Sequence, residues 1–407
     1  MVVAVRRIIV ALTITENGPM TIQTNAAQAA GEPNDISPIL ETARELAATF
    51  RQRADAADEG DRFVSDNYRD LKQAGLVEAG VPEELGGRGA QVRELAAMLR
   101  ELAHGCGSTA LAFSMHTHQV AVPAWRWRHL NFAGVEPLLR RVANDRIILL
   151  SSGGSDWLGG SGSAEKIDGG YRVSARKVFT SGAEAGDILM SSAILKREGE
   201  PDMVIHFPVP MKSKEVRVLD NWRTLGMRGT GSNDVVIDGL FVAETSVGAT
   251  RKAGEWHPMF HILATVAFPL IYAAYLGVAE GARDIALDLA RKRPASRHVT
   301  SLAGRMDTAL RTAQLAHEWM VRTSELNRPS AETVNEVMIG RNIVAEKAIE
   351  TVTLAMELAG GAGFYRAHGL ERRFRDIQGA RYHPLQAGVQ AEYAGAMALG
   401  QPVAQIF

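Results

Sequence analysis

The chain has one cysteine, Cys106, in 407 residues. No disulfide can form within it, which fits a protein held in a reducing cytoplasm. An excess of charge is missing too: 45 Lys and Arg stand against 46 Asp and Glu. Such a balance supplies neither a basic surface for nucleic acid nor an acidic field that would repel an anionic substrate. No apolar run reads as reaching the roughly 20 residues of a membrane span, so no membrane role is expected. RRIIVALTI, Arg6 to Ile14, has the basic-then-apolar order of an export signal. Thr13, Thr15 and Glu16 interrupt it, however, and no small-residue cleavage site follows. Residues 1–34 therefore read as a disordered or mis-started extension, with Met20 a second start. His116 and His118 form an H-x-H pair, yet no third or fourth ligand follows at a usual spacing, so no metal site is expected. No internal repeat appears.

What is present falls into three textures. From Ser37 the pattern is helical: Ser37-Pro38 suits a helix start, and Ile39, Ala43, Leu46 and Phe50 recur at helical spacing. VPEELGGRGA breaks this pattern, and VRELAAMLRELAHGCGSTALAFSMHTHQVAV resumes it with an interruption at Gly105 to Gly107. After Asn144 the segments IILLSS, YRVSARKVFT, DILMSSAIL, DMVIHFPV, EVRVLD and NDVVIDGLFV are short and rich in β-branched residues, with Gly, Ser, Asp and Pro between them. Beyond Trp256 long helical patterns return, the third ending at Gly360-Gly361. The expected class is α+β in segregated layers. The expected domains are an N-terminal helical domain (35–144), an antiparallel β domain (145–245) and a C-terminal helical bundle (246–407).

Four segments together resemble the acyl-CoA dehydrogenase superfamily. VPEELGGRG is similar to its loop after the second helix, and LGMRGTGSNDVVIDGLFV to its barrel segment. LAGGAGFYR is similar to the Gly-rich turn that reaches a neighbouring subunit's cofactor. Arg375-Asp376, five residues and then Tyr382 resembles its C-terminal signature. The resemblance implies a helical N-domain, a central antiparallel β-barrel and a C-terminal four-helix bundle. It also implies a bound flavin and a homotetramer. By that resemblance KVFTSGAE supplies Phe179 for stacking and Thr180 and Ser181 for hydrogen bonds to the ring, while MRGTGS supplies Arg228 and Ser232. Gly360, Gly361 and Arg375 complete the implied cofactor contacts.

The departures point to one branch of that family. His383 stands where the dehydrogenases usually place a glutamate base, and their alternative base position maps near Ala267. RKRPASRHVTSLAGR lacks the R-x-F-G segment that holds the adenosine half of FAD, so FMN is the expected flavin and FAD the alternative. K-x-F-x-S-G and R-D-x6-H-P resemble the two-component flavin-dependent monooxygenases, such as those acting on dibenzothiophene, steroid phenols and amino sugars. That resemblance implies reduced flavin delivered by a separate reductase, O2 as co-substrate and a flavin C4a-hydroperoxide. The substrate is expected to be small and apolar or to contain a heteroatom. The alternative is an acyl-CoA dehydrogenase with FAD and an unusual base.

Two histidines are the expected catalytic pair: His383 and, on FSMHTHQ, His116, with His118 a less favoured candidate. Pro384 suggests that His383 sits at the N-cap of the last helix, where the positive end of the dipole would keep its ring neutral. A neutral imidazole donates one hydrogen bond and accepts another, which suits steadying an oxygen adduct or taking a proton. Trp125, Trp127 and Cys106 read as packing residues.

Overall fold

A computed structural model describes residues 37–152, 158–197, 199–294 and 296–403. The extension read at 1–34, with its signal-like stretch, lies outside these residues.

The first helix, α1 (Pro38–Glu59), buries Ile39, Ala43, Ala47, Phe50 and Ala54, the stripe its 3.6-residue period predicts. After α2 (Ser65–Gln73), α3 (Val92–Gly105) crosses α1 so closely that a Cβ on Gly105 would lie 2.1 Å from the Ala47 carbonyl oxygen. The chain breaks at Cys106 and continues as α4 (Gly107–Leu130). The exposed carbonyl of His104, at the end of α3, receives hydrogen bonds from Arg51 and Arg373, which offsets the negative end of that helix. Trp125 and Trp127 are packing residues, each donating its indole N–H, to Asn327 and Glu136 respectively. A further helix, α5 (Glu136–Asp145), precedes the sheet.

Eight strands follow: β1 (Leu149–Ser151), β2 (Ser163–Ile167), β3 (Gly170–Lys177), β4 (Ile188–Leu195), β5 (Met203–Pro210), β6 (Val216–Val218), β7 (Val235–Ala243) and β8 (Ala249–Lys252). They form one sheet in the order β6-β7-β3-β2-β4-β5-β8, with β1 also on β4. Two expectations need correction. The sheet is mostly antiparallel but not wholly so, because β1 and β2 both pair with β4 in parallel. Closure into a barrel is not seen, since no pairing joins β6 to β8 among the described residues. The sheet also runs past residue 245, because β8 pairs with β5 from Met203↔Lys252 to His206↔Ala249.

The C-terminal part contains α6 (Met259–Arg291), α7 (Arg297–Glu325), α8 (Ala331–Ala359), α9 (Leu370–Asp376) and α10 (Ala387–Leu399). Ser330 and Thr333 close a reciprocal capping box at the start of α8, a device that satisfies two orphan groups at once. One sequence expectation fails here. By length and composition α6 is apolar enough to cross a membrane, and 89% of its most apolar 18-residue window is buried within the protein. It is apolar all round because α3, α4, α7 and α8 surround it. Where α6 meets α3, a Cβ on Gly277 would lie 2.3 Å from the Arg100 carbonyl oxygen, so only glycine fits.

The segment carrying the C-terminal signature is fastened to both other parts. Arg375 donates to both carboxylate oxygens of Asp58, at 3.0 and 2.6 Å, and to Glu371. Asp376 accepts the Met227 N–H at 2.5 Å. Arg372 reaches Asp55 at 2.5 Å. These charge-assisted bonds set where the following turn, Tyr382 to Gln386, can lie.

Candidate active site

His383 does not cap the last helix. That helix begins at Ala387 with Gln386 as its N-cap, and His383 and Pro384 lie in the turn before it. The dipole explanation for a neutral ring therefore fails, and a different cause replaces it. Burial strips water from the imidazole, and the nearby charges of Arg341 and His118 also oppose protonation, so its pKa falls from 6.5 to about 3. The ring is held by the Tyr275 hydroxyl, 2.7 Å from Nε2. Its backbone is held by Arg341, whose Nη2 donates to the His383 carbonyl at 2.6 Å. Arg341 is almost fully buried on α8, with its guanidinium 5.1 Å from the Tyr272 ring centroid. Tyr272 in turn donates to the Ala380 carbonyl at 2.8 Å.

Tyr272, Tyr275 and Arg341 were not among the residues expected from sequence. A signal existed: two tyrosines three apart in PLIYAAYLG place two hydroxyls on one face of an otherwise apolar helix. Arg341 likewise interrupts the buried face formed by Val334, Val337, Met338 and Val344 on α8.

The two histidines of α4 are placed differently from expectation. His116 spends both ring nitrogens on backbone: Nε2 donates to the Val77 carbonyl at 2.9 Å, and Nδ1 accepts the Leu149 N–H at 3.0 Å. It ties α4 to the loop after α2 and to β1. His118 uses only Nδ1 firmly, donating to the Ser114 carbonyl at 3.0 Å. Among the described residues its Nε2 has a single long contact, 3.4 Å to the Gln119 amide. Of the two, His118 is the one with a ring nitrogen left without a close hydrogen bond. Burial lowers the pKa of both α4 histidines to about 4.

The segment expected to face a flavin forms a defined cradle. Phe179 adopts φ 54° and is 56% exposed, presenting an aromatic surface edge-on to Trp222 at 5.7 Å. A flat ring would find its apolar contact here. Behind it runs a directional chain of hydroxyls. Thr230 donates to the Met227 carbonyl at 2.8 Å, so at its 2.7 Å contact with Ser232 the serine is the donor. Ser181, 2.8 Å from Ser232, then donates in its turn. Ser181 therefore retains acceptor capacity for a ligand N–H. Thr180 is fully buried and its N–H goes to the Asn233 carbonyl. Behind the loop, the Tyr68 hydroxyl is buried without a hydrogen-bond partner among the described residues, 2.9 Å from where a Cβ on Gly182 would stand. An exposed aromatic face backed by ordered hydroxyls fits an isoalloxazine ring with a polar edge.

The remaining expected contacts are less free. Arg228 donates to the Thr224 carbonyl at 2.9 Å and lies 3.5 Å from Asp61, while Arg375 is engaged by Asp58 and Glu371. Neither guanidinium is held open for a phosphate. Gly360 and Gly361 lie on a surface turn beside Phe364 and Tyr365, which are 84% and 70% exposed. A cleft of about 860 Å³ between α3, α6 and α7 lies elsewhere, lined by charges that pair with one another, such as Arg100 with Glu280 and Arg283 with Asp307.

Comparison with known proteins places this geometry. The model of the acyl-CoA dehydrogenase N-terminal domain matches residues 34–127, and that of the acyl-CoA dehydrogenase C-terminal domain matches residues 270–386. Amino sugar nitrososynthase DnmZ from Streptomyces peucetius is 27% identical over 81% of this chain and 85% of its own. The flavin-dependent monooxygenase oxygenase subunit HsaA from Rhodococcus jostii is 24% identical over 83% of this chain and 92% of its own. Proteins named as acyl-CoA dehydrogenases occur among the relatives as well. Among solved structures, KijD3 in complex with FMN and dTDP-3-amino-2,3,6-trideoxy-4-keto-3-methyl-D-glucose superimposes with a TM-score of 0.83 at 25% identity, covering 92% of this chain and 96% of that one.

Proposed function

Because the chain belongs to the acyl-CoA dehydrogenase superfamily and its relatives include flavin-dependent monooxygenases, we propose that it is itself a monooxygenase. In this reading it uses FMN reduced by a separate reductase, and O2, on a small apolar or heteroatom-bearing substrate. One observation carries this reading. The residue after Tyr382 is a neutral histidine fixed by Tyr275 and Arg341, where abstraction of a substrate carbon-bound proton would call for a carboxylate. Proton abstraction next to a thioester needs a strong, ionised base, and an imidazole kept neutral down to about pH 3 is a weak one.

When bound, reduced flavin supplies the electrons that activate O2. Phe179 would support the ring, and Ser181, Ser232 and the backbone around Gly182 would meet its polar edge. His383 and His118 hold or move a proton at the reacting side, each as a neutral imidazole.

The test separates the two chemistries. The purified protein, given enzymatically reduced FMN and O2, is expected to bind the flavin and delay hydrogen peroxide release relative to free reduced FMN. A panel of straight- and branched-chain acyl-CoAs is expected to give no dye reduction. Turnover of even one acyl-CoA without a reductase would sink the monooxygenase reading. Assembly is part of the same proposal. The exposed Phe364–Tyr365 turn suits contact with a neighbouring subunit, and closed symmetric assemblies are the common outcome for such surfaces. Light scattering should give a homotetramer; a monodisperse monomer that still binds flavin would overturn that.

A further inference from the structure

The Tyr275 hydroxyl has one hydrogen-bond partner among the described residues, Nε2 of His383. It is buried in the interior of α6, against the rings of Tyr272 and His383. If Nε2 carried the proton, Tyr275 would have to accept it, and the phenolic proton would be left in the interior with no acceptor. Orphaned buried donors are rarer in proteins than under-used acceptors, because the donor has one bond to make and loses it entirely. The phenol also keeps its proton, since burial pushes its pKa well above 10. Tyr275 is therefore the donor and Nε2 the acceptor, which leaves the His383 proton on Nδ1. That nitrogen makes no hydrogen bond to any described residue, and His383 is only partly buried.

His118 carries the complementary arrangement. The Ser114 carbonyl can only accept, so Nδ1 of His118 is its protonated nitrogen and Nε2 is left bare. The 3.4 Å contact from the Gln119 amide is long and occupies Nε2 weakly.

We propose that Tyr275 is a positioning residue that locks His383 as an Nδ1–H donor, while Ser114 locks His118 as an Nε2 acceptor. The two neutral imidazoles then have opposite roles: His383 presents a hydrogen-bond donor and His118 an acceptor. A substrate suited to this pair presents an X–H group, a hydroxyl or an amine, to His118. This assignment of roles rests on the monooxygenase reading; the tautomers do not.

Magic-angle-spinning NMR of the resting protein labelled with 15N-histidine tests it, with His383→Gln and His118→Gln spectra assigning the two rings. Expected are a protonated Nδ1 and a bare Nε2 on both. In Tyr275→Phe the His383 ring alone should shift toward the Nε2-protonated form. Peroxide leakage with reduced FMN should rise roughly tenfold, the scale of one lost hydrogen bond. An Nε2-protonated His383 in the unmodified protein, or a Tyr275→Phe spectrum unchanged at His383, overturns the tautomer assignment. A tautomer that shifts in Tyr275→Phe while peroxide leakage stays level overturns the functional role of the lock. Should the protein instead turn over an acyl-CoA, the spectra still decide the tautomers, so the two failures are distinguishable.

Discussion

His383→Ala is expected to lower coupled oxygenation by about 10²–10⁴-fold, the scale of a positioned proton-transfer group. Flavin affinity should hardly change, because Phe179, Ser181 and Ser232 lie on the sheet and its loops. Reducing equivalents should then escape as hydrogen peroxide. The fold should survive, at a modest cost of a different origin from a lost helix cap. Removing the ring leaves the Tyr275 hydroxyl without its one partner, a penalty of about 1–3 kcal/mol for a buried donor. Arg341 binds the backbone carbonyl of residue 383 and keeps that contact in the variant. His118→Ala should uncouple in the same way, and the double variant should be less than additive if both rings face one ligand. His116→Ala should instead destabilise the protein, because two backbone groups lose their partner. His383→Glu separates the two chemistries again: a dehydrogenase would gain dye-linked activity with some acyl-CoA, while a monooxygenase would lose function. Full coupled oxygenation by His383→Ala would show that the histidine only braces Tyr275.

Acid is expected to destabilise this protein as its buried histidines take up protons. His116, His118 and His317 are each at most 5% exposed, and loss of hydration lowers their pKa values from 6.5 to about 4. The sign is fixed by which state binds more protons. Between about pH 6.5 and 4 these histidines are protonated in the unfolded chain and neutral in the folded one. Their stabilising contribution is thus complete above 6.5 and is lost as pH falls toward 4. Each accounts for roughly 3 kcal/mol across that window, so three together approach the net stability of an ordinary domain, about 5–15 kcal/mol. Glu280 acts lower. Burial alone would raise the pKa of Glu280, but hydrogen bonds from His104, Arg100 and Gln314 outweigh it and hold the value near 2, so its contribution declines only below 4.5. Urea unfolding midpoints at neutral pH, at pH 6 and at pH 5 should fall steeply, and His317→Gln should flatten the slope. A midpoint independent of pH across that interval would contradict the burial of all three rings.

The local sequence determined more than element types. Ser37-Pro38 set the start of α1, the Gly105 to Gly107 interruption separated α3 from α4, and Gly360 ended α8. These are signals carried by a few neighbouring residues, and backbone sterics make them legible. Strands β2 and β8 carry no local strand signal because SAEKI and ATRK lack an apolar alternation; they are strands through pairing with β3, β4 and β5. Helix α9 is stabilised by Asp58 and Asp55 from the other end of the chain, which no local pattern announces.

The position of His383 in the chain was legible, and its state was not. Sequence alone offered the dipole of a following helix, whereas the neutral ring comes from burial and from Arg341, 42 residues away along the chain. The same holds for the choice between His116 and His118. Two residues apart on a helix, they point in directions roughly 200° apart by the 3.6-residue turn. Which direction faces the backbone of β1 depends on where α4 lies against the sheet and the bundle. Spacing fixes the angle between two side chains on one helix. Only the packing of that helix against its neighbours decides which of them is buried as a brace and which is left with a nitrogen to spare.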